Sequence, residues 1–280
     1  MNRLIIFTLI MCCRLSADRG MIPINPDIQL FEPNQRALIA WNGKEEILLL
    51  TTDINASDTT SVLEILPLPS EPVIEKGELK TFKKAVELIN KKTQRVFARG
   101  KGEGIPIPGG ELKFHKKIGS HDLSVIHLLN ADKFIRWVED YLKKLGFEKV
   151  VISEDIKALV NQYIEDGFEW FVFDIISLQK ELRTSEPIQY RFKTRNLFFP
   201  LRITRTSSGN TSINLLILTP RLLSRFTGLP VEQIKLAHRP ELQELDKDIY
   251  YLFEDYQEVR LRIWKITGPL DSFDQDLIVR

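Results

Sequence analysis

Three histidines, His115, His121 and His127, recur every six residues. Imidazole nitrogens ligate metals and titrate near neutral pH. The even spacing would put all three on one face of an unbroken strand, because side chains alternate there with a period of two. Six residues of strand separate neighbours by about 20 Å, too far to share one ion. Gly119-Ser120 breaks the run, and a hairpin there would bring only His115 and His121 together. These two are the metal candidates, set against an ordinary role as surface or hydrogen-bonded histidines. His238 stands alone in Ala237-His238-Arg239-Pro240.

Other motifs carry less chemistry. Gly100, Gly102 and Gly104 give G-K-G-E-G, but a phosphate cradle should follow a strand and open a helix. This one follows a helical pattern and runs into Ile105-Pro106-Ile107-Pro108, which reads as loop. No G-x-S-x-G nucleophile elbow occurs. The carboxylate pairs Glu45/Glu46, Glu139/Asp140, Glu154/Asp155, Glu165/Asp166 and Glu254/Asp255 are adjacent in sequence, so their side chains diverge and do not make acid/base dyads. Trp41, Trp137, Trp170 and Trp264 could stack on sugars if exposed, but their apolar surroundings suit a core role. Tyr250, Tyr251 and Tyr256 lie among acids and suggest an exposed aromatic patch. Arg191, Lys193, Arg195, Arg202 and Arg205 suggest a basic outward face. That face would bind an anionic polymer, or simply guard a strand edge.

These residues need elements to hold them. The 280-residue chain is 43% hydrophobic and 28% charged, as in a globular protein with a real core. Ala37–Trp41 and Glu46–Thr51 flank Asn42-Gly43, a hairpin signal. Ser61–Leu66 reads as a strand ended by Pro67, Pro69 and Pro72. Residues 78–99 read as a helix with Phe82, Val86, Ile89 and Val96 near one face. Residues 100–120 are rich in Gly, Pro and Lys and read as a loop or hinge. Asp122–Leu129 is a strand, followed by a helix over 131–145. A second helix is capped by Ser153 and carries Ile156, Leu159, Val160, Tyr163 and Ile164. Phe168–Leu178 is a nearly continuous apolar strand and should be central in a sheet. Ile188–Lys193, Phe198–Thr206 and Ser212–Thr219 follow as strands, and residues 220–255 as short helix and loop. In Val259–Thr267 the apolar residues should point inward and Arg260, Arg262 and Lys265 outward. This order predicts α+β, with a mixed, mostly antiparallel sheet and packed helices. A β-rich lobe over 18–99 and an α+β lobe over 121–280, or one continuous unit over 18–280, both satisfy it.

The N-terminus reads as an export signal. Met1-Asn2-Arg3 is a short positive region, Leu4–Cys13 an apolar stretch of ten residues, and a small residue precedes a cut expected at Ala17/Asp18. Ten residues are too few for a bilayer anchor, and no later stretch reaches eighteen. Both cysteines lie in this segment, so the remainder would have no disulfide, catalytic thiolate or Cys-ligated zinc. The net charge is +1, and loss of Arg3 and Arg14 leaves the remainder at −1. Such balance gives no reason to expect nucleic acid.

A resemblance supports this reading. Ala37 through Leu66-Pro67-Leu68-Pro69-Ser70 looks like the N-terminal half of domain-of-unknown-function family twenty-three thirty, a group of exported bacterial proteins. The block over 131–204 is similar to its C-terminal half: Trp137, Leu145-Gly146-Phe147, Tyr163, Gly167-Phe168, Pro187-Ile188 and Phe199-Pro200-Leu201-Arg202-Ile203-Thr204. Many members carry a cysteine near the mature start, where this chain has Asp18-Arg19-Gly20-Met21, so no role of that cysteine transfers. The resemblance implies export and a bacterial source and supplies no catalytic residues. We expect a non-catalytic binding or interaction module of the cell envelope, with no cofactor and with an envelope component or polymer as partner. The alternative is an extracytoplasmic hydrolase built from dispersed carboxylates and histidines.

Overall fold

The computed structural model describes residues 20–24, 30–96, 117–118, 120–128, 130–144, 146–147, 152–206, 210–223 and 232–279. The signal segment, the Ala17/Asp18 cut, His115 and most of the 100–120 stretch lie outside them. The first part of the chain holds β1 (Gly20–Pro23), β2 (Leu30–Trp41), β3 (Glu45–Ala56), β4 (Thr60–Leu68), β5 (Val73–Lys76) and α1 (Leu79–Val96). Next come β6 (Lys117–Ile118), β7 (His121–His127), α2 (Ala131–Lys144), α3 (Glu154–Glu165), β8 (Trp170–Leu178), β9 (Arg183–Thr184), β10 (Ile188–Lys193) and β11 (Leu197–Phe199). The last part holds β12 (Asn210–Thr219), β13 (Glu232–Ala237), α4 (Gln243–Leu245), α5 (Lys247–Leu252), β14 (Glu258–Pro269) and β15 (Leu277–Val279).

Two sheets stack between two layers of helix. The smaller sheet has the order β1-β4-β8-β7-β6 and is antiparallel throughout. The larger has the order β13-β14-β12-β2-β3-β10-β5, with β9 also pairing β3. Its β12–β2 pair is parallel and its other pairs are antiparallel. The fold is therefore α+β with mostly antiparallel sheets. Strands from both sides of the 100–120 stretch interleave in each sheet.

Alternation along the strands builds the layers. On β4 and β8, Leu63, Ile65, Phe171 and Phe173 face α2 and α3, where Val138, Leu142, Leu159, Val160 and Tyr163 meet them. Their alternate neighbours Leu66, Leu68 and Val172 face the larger sheet and pack on Ile39, Leu48, Leu50, Ile188 and Ile217. The far face of the larger sheet, Leu38, Ile47, Leu49, Leu216 and Leu261, is covered by Phe82, Ala85 and Ile89 of α1 and by Leu245 and Ile249. Both faces of the larger sheet are thus sealed, and Leu38 to Ala40 are fully buried in succession.

The punctuation is local. Asn42 Oδ1 accepts from the amides of Lys44 and Glu45, both at 2.9 Å, and Gly43 takes the left-handed φ of +96° that closes the β2–β3 hairpin. The Ser153 hydroxyl caps α3 by accepting from Ile156 N.

Four expectations are corrected. β4 runs through Pro67 to Leu68, because β1 pairs only from Val62 to Ile65, so one side of β4 is open to a residue lacking a donor. The expected strand over 198–206 stops at Phe199. Pro200 interrupts it, and Arg202–Thr206 form a 3-10 turn. Glu232–Ala237, expected as helix or loop, is an edge strand with only Ile234 and Leu236 to signal it. Arg262, expected outward, is 2% exposed because that face of β14 looks into the space between the sheets.

The β13 edge is shut by side chains. Lys92 of α1 donates to Lys235 O and pairs with Glu241 at 2.7 Å. The same Glu241 oxygen accepts from Ala237 N at 2.7 Å. An ion pair thus occupies main-chain groups that another strand would need. Lys92→Ala should cost about 1 kcal/mol, read as a lower urea midpoint. It should also raise the weight-average mass with concentration in sedimentation equilibrium. Wild-type stability and wild-type association in the variant would remove the guard role.

Candidate functional site

An open cleft of about 190 Å³ lies where β8 ends and the chain turns back through β9. Its floor is apolar: Ile54 is 5% and Leu178 4% exposed. Its walls are polar. Ser120 and Glu186 stand together, with the Ser120 hydroxyl donating to Glu186 Oε2 at 3.1 Å and its amide reaching the same oxygen at 3.4 Å. Ser177 N donates to Ser120 O at 3.1 Å, which ties β8 to the turn before β7.

Ser185 fixes the other wall. Its amide donates to Thr52 O at 2.8 Å, its hydroxyl accepts from Thr52 N at 3.0 Å, and its carbonyl accepts from the Thr51 hydroxyl at 2.8 Å. Beside it, Asp53 accepts from the Thr184 hydroxyl at 2.7 Å and from Arg36 Nη2 at 2.6 Å. Glu181 and Arg183 face each other at the exposed rim, 3.5 Å apart. The side chains of Ser177 and Gln179 also line the cleft and make no hydrogen bond. No histidine lines it.

The most deeply buried titratable groups lie elsewhere. His121 and Asp174 are each 1% exposed and meet through Nδ1 and Oδ2 between the two sheets. Asp174 Oδ1 also accepts from Asp122 N at 2.9 Å, and Asp174 pairs across the strands with the equally buried Glu64. The metal candidate His121 is thereby committed to a carboxylate in the core. His127 lies at the other end of β7, stacked on Trp170 with centroids 4.6 Å apart and 3.0 Å from Glu169. His115 is outside the described residues. Among the described residues no three His, Cys, Asp or Glu side chains gather as a metal set.

Glu46 and Glu45 diverge, as adjacent carboxylates on a strand must. Glu45 pairs with Arg191 at 2.6 Å, whereas Glu46 is fully buried. Its Oε2 accepts from Phe198 N at 2.8 Å, and its Oε1 has no partner. Burial pushes this carboxyl well above the usual carboxylate range, and the Phe198 bond only partly opposes it. A second network locks the C-terminal segment. Asp276 Oδ1 accepts from the Tyr163 hydroxyl at 2.7 Å and from Arg202 N at 2.8 Å. The Arg202 guanidinium lies 4.1 Å above the Tyr163 ring and pairs with Asp166 at 2.6 Å. Burial raises both the Tyr163 phenol and the Asp276 carboxyl.

The other residues singled out in the sequence do not converge. Tyr250 is 7% exposed and stacked on His238, with Arg239 donating to its hydroxyl. Tyr256 is half-buried and donates to Asn42 O at 3.0 Å, so only Tyr251 is exposed and the three form no common patch. Arg191 and Lys193 share one side of β10, but Arg202 is spent on Tyr163, Asp166 and Asp276. Trp41 and Trp264 are core residues. The side chain of Trp137 lies outside the described residues. The cleft residues Ser177, Gln179 and Glu186 were not foreseen. The signal for Gln179 and Glu186 is a polar run, residues 179–186, between two strongly apolar strands, whereas Ser177 lies within the first of those strands.

Fold and cleft together define a layered α+β protein with a polar recess at the end of β8. Residues 15–227 match the model of a family described as an uncharacterized protein conserved in bacteria, DUF2330, and the chain belongs to that family. No curated protein matches it. Among solved structures, the crystal structure of baculovirus P35 is similar at 8% identity and a TM-score of 0.42, covering 91% of this chain and 97% of that one. A mutated baculovirus P35 after caspase cleavage gives 8% identity and a TM-score of 0.36, covering 73% and 75%.

The buried Glu46 carboxyl sets a pH dependence. The folded state keeps its proton above the ordinary carboxylate value of about 4.3, where the unfolded chain has lost it. The folded state therefore binds more protons, and stability falls as pH rises through that window, by about 1.4 kcal/mol per pH unit for this group. Glu46→Gln should flatten that part of the profile between pH 5 and pH 8, measured by urea unfolding. An unchanged slope would show that Glu46 is ionised in the folded protein.

Proposed function

We propose that this protein is an exported, non-catalytic binding module of the bacterial cell envelope, with the cleft beside Ser120 and Glu186 as its ligand site. One observation carries the reading. The most deeply buried titratable groups are committed inside the protein, while the open cleft presents polar side chains to solvent. The His121–Asp174 pair is sealed between the sheets and Glu46 is sealed in the core. The cleft offers Ser177 and Gln179 without hydrogen bonds and has no histidine to serve as base. A hydrolase assembled from dispersed carboxylates and histidines would need them to converge on an opening, and the described ones do not.

Export rests on the N-terminal sequence, with its positive start, ten-residue apolar stretch and small residue before Asp18. Membership of a bacterial family agrees with such a route. No helix among the described residues is long and apolar enough to cross a membrane.

Expression with the native N-terminus in a bacterial host, followed by fractionation and intact-mass measurement, tests this. The expected product lies outside the cytoplasm, begins at Asp18 and has no titratable thiol, since Cys12 and Cys13 leave with the signal. A full-length chain retained in the cytoplasm overturns the export reading.

A further inference from the structure

We infer that the cleft takes a small ligand bearing a primary ammonium group; the inference rests on reading this cleft as the binding site. The charge balance of the cleft leads to it. Glu181 and Arg183 neutralise one another at the rim. Glu186 is different: it is half-buried, and no cation among the described residues lies within 4.0 Å of it. Its two hydrogen bonds come from the neutral amide and hydroxyl of Ser120, both to Oε2. These bonds aim the carboxylate without cancelling its charge, and Oε1 is left for a ligand.

The surrounding groups are rich in acceptors. Ser120 and Thr184 spend their hydroxyl hydrogens on Glu186 and Asp53, so toward the cleft their oxygens offer lone pairs. Ser177 Oγ and the Gln179 amide oxygen are uncommitted acceptors as well. A carboxylate with neutral oxygens around it matches the three donors of an ammonium group. The apolar floor of Ile54 and Leu178 suits the methylenes that carry such a group.

Other cations fit less well. A quaternary ammonium is recognised by aromatic faces, and none lines the cleft. Calcium requires six to eight oxygen ligands, usually with several carboxylates, whereas Glu186 is the single unpaired carboxylate here. The volume of about 190 Å³ is below the roughly 300 Å³ at which drug-sized ligands begin to fit, so the ligand, or the part of it bound, is small.

The test is an amide chemical-shift titration of the isotope-labelled mature protein with butylammonium, butyrate and glucose in parallel. Butylammonium should give saturable shifts at Ser177, Gln179 and Thr184–Glu186 in the millimolar range. Glu186→Gln should weaken that binding about tenfold, the loss expected for one charge-assisted hydrogen bond. Ser177→Ala, at an exposed residue with no hydrogen bond to lose, should weaken it by a smaller factor and guards against misfolding of the first variant. Saturable binding of butyrate or glucose in place of the amine overturns the ammonium inference and leaves the cleft as a ligand site. Equal amine affinity in wild type and Glu186→Gln also overturns it. No saturable shift with any of the three overturns both the inference and the cleft reading.

Discussion

The larger sheet is covered on both faces, and most of the polar chemistry of this protein follows from that. A strand inside such a sheet has no solvent side, so each polar side chain on it must bring a partner or lose its charge. Glu46 loses its charge and keeps one bond to Phe198 N. Arg262 keeps the guanidinium at 2% exposure by donating to the Thr219 hydroxyl at 2.6 Å and to Arg221 O at 2.9 Å. Burial pulls its affinity for the proton down. Gln189 reaches Asp248 at 3.1 Å. None of these groups is available for chemistry on a ligand, although each would attract notice as a perturbed or buried polar residue.

The same constraint explains where the cleft lies. Along β3 the apolar run Ile47–Leu50 gives way to Thr51, Thr52 and Asp53, at the limit of the double cover. There, on the side away from β2, the main chain is no longer flanked by a long neighbour. β10 ends its pairing at Leu50, and the two-residue β9 takes over at Asp53. Ser185 bridges the gap with three hydrogen bonds to Thr51 and Thr52. The turn before β7 and the end of β8 meet this region from the smaller sheet, and the recess between them opens to solvent. Solvent-facing polar side chains without hydrogen bonds, Ser177 and Gln179, therefore occur at the junction where the sandwich stops.

Elements with one strong periodicity were legible in the sequence. The hairpin at Asn42-Gly43, the helix after Ser153 with Ile156, Leu159, Val160 and Tyr163, and the central strand through Phe171 and Val172 all announce themselves locally. Elements set by tertiary context did not. β13 has only two apolar residues because it is an edge, and the orientation of Arg262 depends on a second sheet that no local pattern reveals. Val259, Leu261 and Ile263 on one face and Trp264 and Ile266 on the other mark β14 as apolar on both sides, and that switch of parity was the available signal. The candidate site was less legible still. Ser120 lies 66 residues before Glu186, and strand register brings the two together. The carboxylate partner of His121 lies 53 residues away.

The family boundary and the architecture do not coincide, and the difference separates two parts of the protein. The matched residues end at 227, between β12 and β13. They include every residue that lines the cleft, from Ile54 to Glu186. They omit β14, which pairs with β12 along its whole length, and α4 and α5, which help cover the far face of the larger sheet. They also omit Asp276, the acceptor that joins Tyr163 to Arg202. Residues beyond 227 thus complete the sheet, its cover and the lock on α3 without entering the recess. The binding hypothesis concerns the matched portion, and the rest of the chain contributes to it by keeping the sandwich closed.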